Sequence, residues 1–566
     1  MTFNNKELLA LMELQQSGFL HKIPFSLFKL RSDARQLEKF YKSQGFVSPE
    51  IIAKENIDTV SRRVDLNITI QEGPRIIVRA VNVTSNPAAG GWILRYLKTH
   101  PATPLIYTNI DDDIRKITDT LQEAGYLRAH VEPVITIDSS LYAASVLYFV
   151  KSGPRIIAGE YKIEGGDFVR PFNITRELTF RKSKVLRFSD IRDSERNLYR
   201  TRLFNFVKIN PAISDSADTL AAQDTTVPVI ITVEKAQYFT FETGGGYSSY
   251  ERIIFSLTAS YTNLFARGHT ITLNGGLSSI DQRAELIYST PWVYLFPFQF
   301  LVSAFYERHD NLFFTVPLGY KGEFAGLTAS IGNQNDSILL YQLSFILEDV
   351  IRISAPTQDS IPSGVPDKST ESIVSFVAYD KRDNIFNPKK GYYSRLSLEL
   401  AGLGGAKSNQ FVKSELDLSK YESIRRLVFS SGIQFGWSVP YGASKSLPLQ
   451  DQFFGGGPRS VRGFNYEELV TFPNGTPKGG EVLLVLHLID FQFPVFWWFD
   501  GAVFSDAGYV WQNFRSVDLR DLKFTAGPGL RVETPVGLVR FDLGFQLARL
   551  GMPDSWVLNF DIGRPF

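Results

Sequence analysis

From about Tyr238 onward the chain alternates apolar and polar positions with a period of two. Phe255, Leu257, Ala259 and Tyr261 oppose Ser256, Thr258 and Ser260, while Leu396, Leu398 and Leu400 oppose Ser397 and Glu399. Near the end, Val539, Phe541, Leu543, Phe545 and Leu547 oppose Arg540, Asp542, Gly544 and Gln546. Successive side chains of a strand point to opposite faces, so each segment predicts a strand with one apolar face and one small or polar face that carries the charges. Two architectures give this pattern. In a soluble sandwich the apolar face is a core; in a membrane barrel it meets lipid, and the sheet must close because no unpaired backbone edge survives there. The segments after residue 236 count to about sixteen or seventeen, the difference lying in 311–334, and the preference of membrane barrels for even numbers selects sixteen. Residues 354–372, rich in Pro and Ser, read as a long surface loop. Residues 286–306 carry no charge and are long enough to span a bilayer as a helix. Pro291 and Pro297 would break that helix, and Phe298, Phe300, Val302, Ala304 and Tyr306 alternate, so two strands and a turn are expected instead.

Before Tyr238 the pattern is a repeat. Gly73-Pro-Arg-Ile-Ile77 returns 80 residues later as Gly153-Pro-Arg-Ile-Ile157. Gly45-Phe46 and Gly125-Tyr126 each close a helix in the same register, and Ala34, Leu37 and Tyr41 correspond to Ile114, Ile117 and Leu121. Each unit reads strand, two helices, two strands. In the second unit Asn109 is expected as N-cap, with Asp111, Asp112 and Asp113 in the first turn where the helix dipole favours negative charge. Strands over 128–137 and 142–151 follow. A third copy covers 155–235, with a strand at 156–163 and a helix around 194–204 that ends without glycine. The first copy starts at a helix over 6–16 and lacks its opening strand; no secretory signal precedes it, so truncation is expected, with an export signal and further modules upstream. The division is therefore three modules at 1–73, 74–153 and 154–236 and a barrel at 237–566.

Composition narrows the function. A formal charge of +1 leaves no electrostatic footprint for nucleic acid, and no cysteine means no disulfide framework and no thiolate metal site. Aromatic residues reach 13%, and Trp292, Trp437, Trp497, Trp498, Trp511 and Trp556 fall in the alternating half, where a barrel needs interfacial girdles, leaving Trp92 outside it. There is no Gly-x-Ser-x-Gly elbow, no His-Glu-x-x-His and no phosphate loop, since Gly455-Gly-Gly457 lacks the lysine. No catalytic residue, metal or cofactor is expected, and the protein is read as not an enzyme.

The chemistry that remains is electrostatic. Gly455-Gly-Gly-Pro-Arg-Ser-Val-Arg-Gly-Phe464 sets a glycine-flanked arginine in a loop between strands. Arg462 is always charged, so if the loop folds into a lumen it needs a fixed carboxylate, and Asp506 in Phe504-Ser-Asp-Ala-Gly508 is the candidate; otherwise Arg462 is an ordinary loop residue. Arg540 and Asp542 either join that network or face lumenal water. Where the first and last strands meet, about 238–247 against 557–566, Gly244-Gly-Gly246 weakens the first strand and Pro565 cannot donate a ladder hydrogen bond. The glycines read equally as relief of crowding in a curved barrel.

Val461-Arg-Gly-Phe464, Phe504-Ser-Asp-Ala-Gly508, Asp380-Lys-Arg-Asp-Asn-Ile-Phe-Asn-Pro-Lys-Lys-Gly391 and the final Phe566 together resemble the outer-membrane β-barrel assembly family, the BamA and TamA type of bacterial surface antigens. The resemblance covers nearly the whole chain; Ser505 departs from it, a small apolar residue being commoner there. It implies an α+β set of POTRA repeats followed by an all-β transmembrane barrel, located in the bacterial outer membrane with the N-terminal modules in the periplasm. It implies a loop folded back into the lumen, Arg462, Gly463 and Phe464 being held at Asp506 and Gly508. It also implies a seam at Gly244, Gly245, Gly246 and Phe566, the last being the C-terminal aromatic by which such barrels are recognised. The implied partners are the lipid bilayer, unfolded outer-membrane protein clients, and periplasmic or inner-membrane accessory proteins, with no nucleic acid. The implied function is capture of unfolded barrel proteins and their insertion into the outer membrane. The alternative is a two-partner secretion transporter exporting one dedicated protein, which usually carries two modules and is disfavoured by the third repeat.

Overall fold

The repeat folds as a helix laid on a small sheet, and the barrel as a sheet closed on itself. The computed structural model describes residues 2–14, 24–58, 63–86, 93–213, 224–248, 251–294, 296–311, 320–333, 338–354, 368–385, 387–473, 475, 477–496, 498–534, 537–552 and 555–562. Trp92, Trp497, Pro565 and Phe566 lie outside these residues. The chain divides into two compact units, one of Met1–Gly166, Ile174–Tyr199 and Phe206–Glu234, the other of Asp167–Asn173, Arg200–Asn205 and Lys235–Phe566.

In the first repeat α1 (Asn5–Ala10) and α2 (Leu27–Ser43) accompany an antiparallel pair, β1 (Glu50–Asp58) and β2 (Arg63–Gln71). Helix α1 starts from Asn4, whose side chain and that of Glu7 form a reciprocal capping box, and it is shorter than the expected 6–16. The second repeat has β3 (Ile77–Asn86), a single 3-10 turn at Ile93–Tyr96 where a helix was expected, α3 (Tyr107–Glu123), β4 (His130–Asp138) and β5 (Ala143–Lys151), with β5 central and parallel to β3. In the third, β6 (Ile156–Glu164), α4 (Pro171–Thr175), α5 (Phe188–Arg200), β7 (Phe204–Pro211) and β8 (Thr225–Lys235) repeat that order, β8 lying central.

Two devices recur 80 residues apart. Helix α3 begins at Tyr107, so Asn109 is inside it rather than its cap, and the three aspartates stand beyond the first turn. Asp113 is buried and accepts the amides of Lys98 (2.6 Å) and Thr99 (3.0 Å) and the hydroxyl of Tyr148 (2.9 Å). It satisfies donors of the preceding turn that water cannot reach, instead of interacting with the helix dipole. Asp33 accepts Glu13 N (2.9 Å) and Leu14 N (3.0 Å) in the same way, and in the third repeat Ser194 Oγ accepts Thr179 N (2.9 Å). Asp113 lies on the same face as Ile110, Ile117 and Leu121, which bury against Val78, Val146 and Tyr148.

The second device is the joint. Gly45 (φ 91°) and Gly125 (φ 100°) turn the chain out of their helices. Arg75 Nε donates to Gln44 O (3.0 Å) and Ile76 N to Gly45 O (2.8 Å); 80 residues on, Arg155 Nε donates to Ala124 O (3.2 Å) and Ile156 N to Gly125 O (2.9 Å). The Gly-Pro-Arg-Ile-Ile signature thus satisfies orphan carbonyls at the end of the preceding module's helix. A Cβ on Gly45 would stand 2.5 Å from Leu105 O, and one on Gly125 2.4 Å from Val185 Cγ1, so successive modules meet at each glycine. Helix α5 lies earlier than the expected 194–204 because Ile191, Ser194 and Leu198 form its buried face; Arg202 (φ 58°) supplies the left-handed residue that glycine supplies elsewhere.

The barrel strands are β9 (Phe239–Ser248), β10 (Arg252–Leu264), β11 (His269–Leu277), β12 (Asp281–Thr290), β13 (Gln299–Asn311), β14 (Tyr320–Asn333), β15 (Leu339–Ser354), β16 (Thr370–Asp380), β17 (Gly391–Ala401), β18 (Phe411–Ile424), β19 (Leu427–Pro440), β20 (Val482–Phe496), β21 (Phe499–Trp511), β22 (Lys523–Thr534), β23 (Gly537–Gln546) and β24 (Trp556–Ile562). All sixteen are antiparallel to their neighbours and β24 returns to β9. Along β17, Leu396, Leu398 and Leu400 are exposed, Leu398 at 49%, while Ser397 between them is 9% exposed. A sandwich would bury that apolar parity. Here it faces outward, which is the arrangement a lipid-facing wall requires. Among the described residues no helix is long and apolar enough to cross a membrane, and the uncharged 286–306 stretch supplies parts of β12 and β13. Between β15 and β16, where the long loop was expected, residues 355–367 are outside the described set. Trp498 and Trp556 are exposed as a girdle would have them; Trp511 instead is buried and donates to Asp521 Oδ2 (3.0 Å).

Candidate functional site: a loop arginine among lumenal carboxylates

The loop joining β19 to β20 turns back on itself through Gly456 (φ 108°), Gly457 (φ 97°) and Gly463 (φ 106°). Gly457 N donates to Phe464 O (3.1 Å) and Leu469 N to Gly455 O (2.8 Å). Val461, Phe464, Leu469 and Val470 bury an apolar patch against Val485 of β20 and Val510 of β21. The loop meets the wall backbone to backbone. A Cβ on Gly463 would lie 3.0 Å from Thr525 Cγ2, one on Gly544 would lie 2.4 Å from Gly463 N, and one on Gly508 would lie 2.6 Å from Val461 Cγ2. Gln546 Nε2 then donates to Gly463 O (2.9 Å).

This seating carries Arg462 against the inner faces of β20, β21 and β23. Its Nε and Nη2 donate to Asp506 Oδ2 (2.7 Å) and Oδ1 (2.8 Å), its own amide to Asp506 Oδ2 (3.1 Å), and its Nη1 to Asp490 Oδ2 (2.7 Å). Asp542 Oδ2 lies 3.9 Å from Nη1, and the guanidinium carbon stands 3.7 Å above the centre of the Phe504 ring. His487 Nδ1 is 3.0 Å from Asp506 Oδ1. Arg531 of β22 pairs with Asp542 Oδ1 (2.6 Å) and approaches Asp490 Oδ2 (3.7 Å). The Arg462 side chain is 7% exposed and that of Asp506 0%. Burial opposes the charge of Arg462, but Asp506, Asp490 and Asp542 outweigh it and hold the pKa above the ordinary arginine value. A buried pair of this kind adds little net stability over an apolar replacement, yet removing one partner costs about 3–5 kcal/mol because the other charge is stranded.

Of the residues singled out from sequence, Arg462, Gly463, Phe464, Asp506, Gly508 and Asp542 come together here. Arg540 is exposed, and none of the carboxylate contacts just given involves it. Asp490, Arg531, His487 and Gln546 were missed. Asp490 is inward because β20 carries a bulge: the register slips between His487 and Ile489, both Leu488 and Ile489 are exposed, and two residues three apart therefore share the inner face. The sequence signal was present as two consecutive apolar residues interrupting the alternation His487, Asp490, Gln492. The Asp380–Gly391 motif builds the turn between β16 and β17: Arg382 pairs with Asp380 (2.6 Å), and Asp383 Oδ1 accepts the amides of Asn384, Lys389 and Lys390.

At the seam the described residues pair as Ser248 with Asp561 and Tyr247 with Ile562, whereas β9 pairs with β10 from Ser248–Arg252 through to Phe239–Tyr261. A Cβ on Gly244 would lie 2.5 Å from Ser256 Oγ, and one on Gly245 would touch nothing nearer than 4.0 Å, so crowding accounts for the first glycine and not the second. Phe566, the other expected seam residue, lies outside the described residues.

A closed antiparallel wall with an apolar exterior, an ion-paired loop inside it and three α/β repeats ahead of it define a transmembrane β-barrel with appended modules. Residues 263–566 match the Omp85 superfamily domain and residues 2–73 the POTRA surface antigen variable number repeat. The chain belongs to the Omp85 superfamily. It is similar to the outer membrane protein assembly factor BamA of Nitratidesulfovibrio vulgaris, 21% identical over 568 residues that cover 95% of this chain and 68% of that protein. The protein of that name from Neisseria meningitidis serogroup B is 19% identical, covering 100% of this chain and 77% of its own. The crystal structure of BamA from Haemophilus ducreyi lacking POTRA domains 1–3 shares the fold, with a TM-score of 0.71 at 17% identity, over 87% of this chain and 100% of that one.

Proposed function

We propose that this protein is an assembly factor of the bacterial outer membrane, with its N-terminal modules in the periplasm, which captures unfolded barrel proteins and inserts them into the bilayer. The observation that carries this reading is the seam. In the closed barrel the first strand, β9, lies between β10 and the last strand, β24, which it meets through Ser248 and Tyr247 among the described residues. Where β9 parts from β24, its edge offers backbone donors and acceptors to an incoming strand, so the client need never present unpaired backbone to lipid. Edge strands of the module sheets, such as β4, suit earlier capture by strand addition, which reads backbone and tolerates any sequence. No covalent step, cofactor or catalytic residue enters this scheme, and accessory proteins of the periplasm or inner membrane belong to it as partners of the modules. Arg462 and Asp506 keep the loop inside while the wall opens.

The test is a seam that can be locked. The chain has no cysteine, so Tyr247→Cys with Ile562→Cys gives a unique pair at register positions. Oxidised protein in lipid vesicles should lose insertion of an unfolded barrel client, and reduction should restore it; undiminished insertion by the cross-linked form would sink the seam route.

A further inference from the structure

Arg531 is a second buried arginine in the wall, and its contacts are those of a mediator. Its Nη1 forms an ion pair with Asp542 Oδ1 at 2.6 Å, its hydrogen bonds going to the carbonyls of Leu530 (3.2 Å) and Phe541 (3.4 Å), while Nη2 stands 3.7 Å from Asp490 Oδ2. Asp490 and Asp542 are also the carboxylates that Arg462 shares, at 2.7 and 3.9 Å. Three aspartates thus face two guanidinium groups, and Asp490 Oδ2 is common to both. Arg531 and Asp542 side chains are each 6% exposed. Were Arg531 neutral, Asp490 and Asp542 would both depend on Arg462, which already gives two of its donors to Asp506, and the surplus negative charge would sit where solvent screens it poorly.

The space for this pair is reserved in the backbone. Gly529 faces Asp542 in register, and a Cβ there would stand 2.3 Å from Asp542 Oδ1 and 2.9 Å from Arg531 Nη1. On the other side Asp542 faces Asn559 of β24, a buried residue of the strand that closes the seam. The chain of contacts therefore runs from the loop, through Asp490 and Asp542, to the wall beside the closing strand.

We infer that Arg531 is a positioning residue that divides Asp490 and Asp542 between the loop and the β23–β24 edge, so that seating of the loop and closure of the seam are set together. The inference rests on the reading of the loop as locked by Arg462 and deepens it. Its readout is the loop itself, in the full chain reconstituted into lipid vesicles, with Val461→Cys as the only thiol. Val461 is buried, so labelling by a maleimide is slow while the loop is seated.

Arg531→Met should raise the labelling rate about tenfold or more, Gly529→Ala should raise it less, and Arg531→Lys should fall between parent and Arg531→Met. Adding Asp542→Asn to Arg531→Met removes one carboxylate with the lost guanidinium and should bring labelling back toward the parent, a rescue that a merely structural hairpin contact would not give. In a separate protein, Ser248→Cys with Asp561→Cys should cross-link less completely once Arg531→Met is present. Parent-like labelling in folded Arg531→Met overturns the inference, and so does a double variant that labels as fast as Arg531→Met. If Arg531→Met does not fold, a folded double variant with slow labelling supports the inference and an unfolded one overturns it. Arg462→Ala in the same background separates the two readings: no rise there sinks the lock, whereas a rise there with silence in Arg531→Met sinks the mediator alone.

Discussion

At the module joints Arg75 and Arg155 reach neutral carbonyls of Gln44 and Ala124, and both arginines are partly open to water. In the barrel Arg462 touches three carboxylates and an aromatic ring and is almost wholly enclosed. The difference follows from solvent. A guanidinium that keeps part of its hydration needs only one neutral acceptor to fix its direction, so the joint can be made of a helix end and a single side chain. Deprived of water, the same group demands opposite charge on several sides, and the wall must be built around it. The joints are accordingly a local motif that repeats with the sequence, while the lock draws on β20, β21, β22 and β23.

The sharpest way to break the comparison is Arg462→Ala, expected to cost the folded barrel about 3–5 kcal/mol and to impair insertion, with Arg462→Lys retaining part of both. Denaturant unfolding in lipid and the insertion assay measure it, and wild-type values for the alanine variant would reduce Arg462 to an ordinary loop residue. In the modules the charged groups that do compare with it are Asp33 and Asp113. Asp113→Ala should cost about 2–3 kcal/mol, since it strands two amides and a tyrosine hydroxyl, and hydrogen exchange should show protection lost at Lys98 and Thr99. Gly125→Ala forces a side chain into a left-handed residue against Val185 and should cost about 1–2 kcal/mol, read as a lower unfolding midpoint of the module transition. Arg155→Ala should cost less than about 1 kcal/mol in the same measurement and show little salt dependence, its acceptor being neutral. A large or strongly salt-dependent effect at Arg155 would erase the distinction.

Much of this was legible before any coordinates. The period of two gave the strands and their outward parity, and the offset between Gly73 and Gly153 gave the modules, because both signals are local in the chain. Arg462 with Asp506 was legible through motifs that resemble a known family. Asp490 was not, because a bulge exchanges the faces of β20 and a strict alternation assigns the residue outward. Arg531 escaped because its value lies in contacts with Asp490 and Asp542 from two other strands, which no spacing along β22 reveals. Asp113 was visible but misread: charge near a helix start suggests the dipole, and only the tertiary position shows the turn it holds. Trp511 was grouped with interfacial aromatics, yet its indole is tied to Asp521 and covered.

The extra residue in β20 makes the lock depend on arithmetic as well as chemistry. Were the present strand paired regularly, without its bulge, Asp490 and Gln492 would be presented to hydrocarbon, and Phe491 and Phe493 to the lumen. Deleting either Leu488 or Ile489 restores strict alternation with Asp490 still turned inward, so at this place the loss of one hydrophobic residue should be milder than neutralising the carboxylate it helps to place.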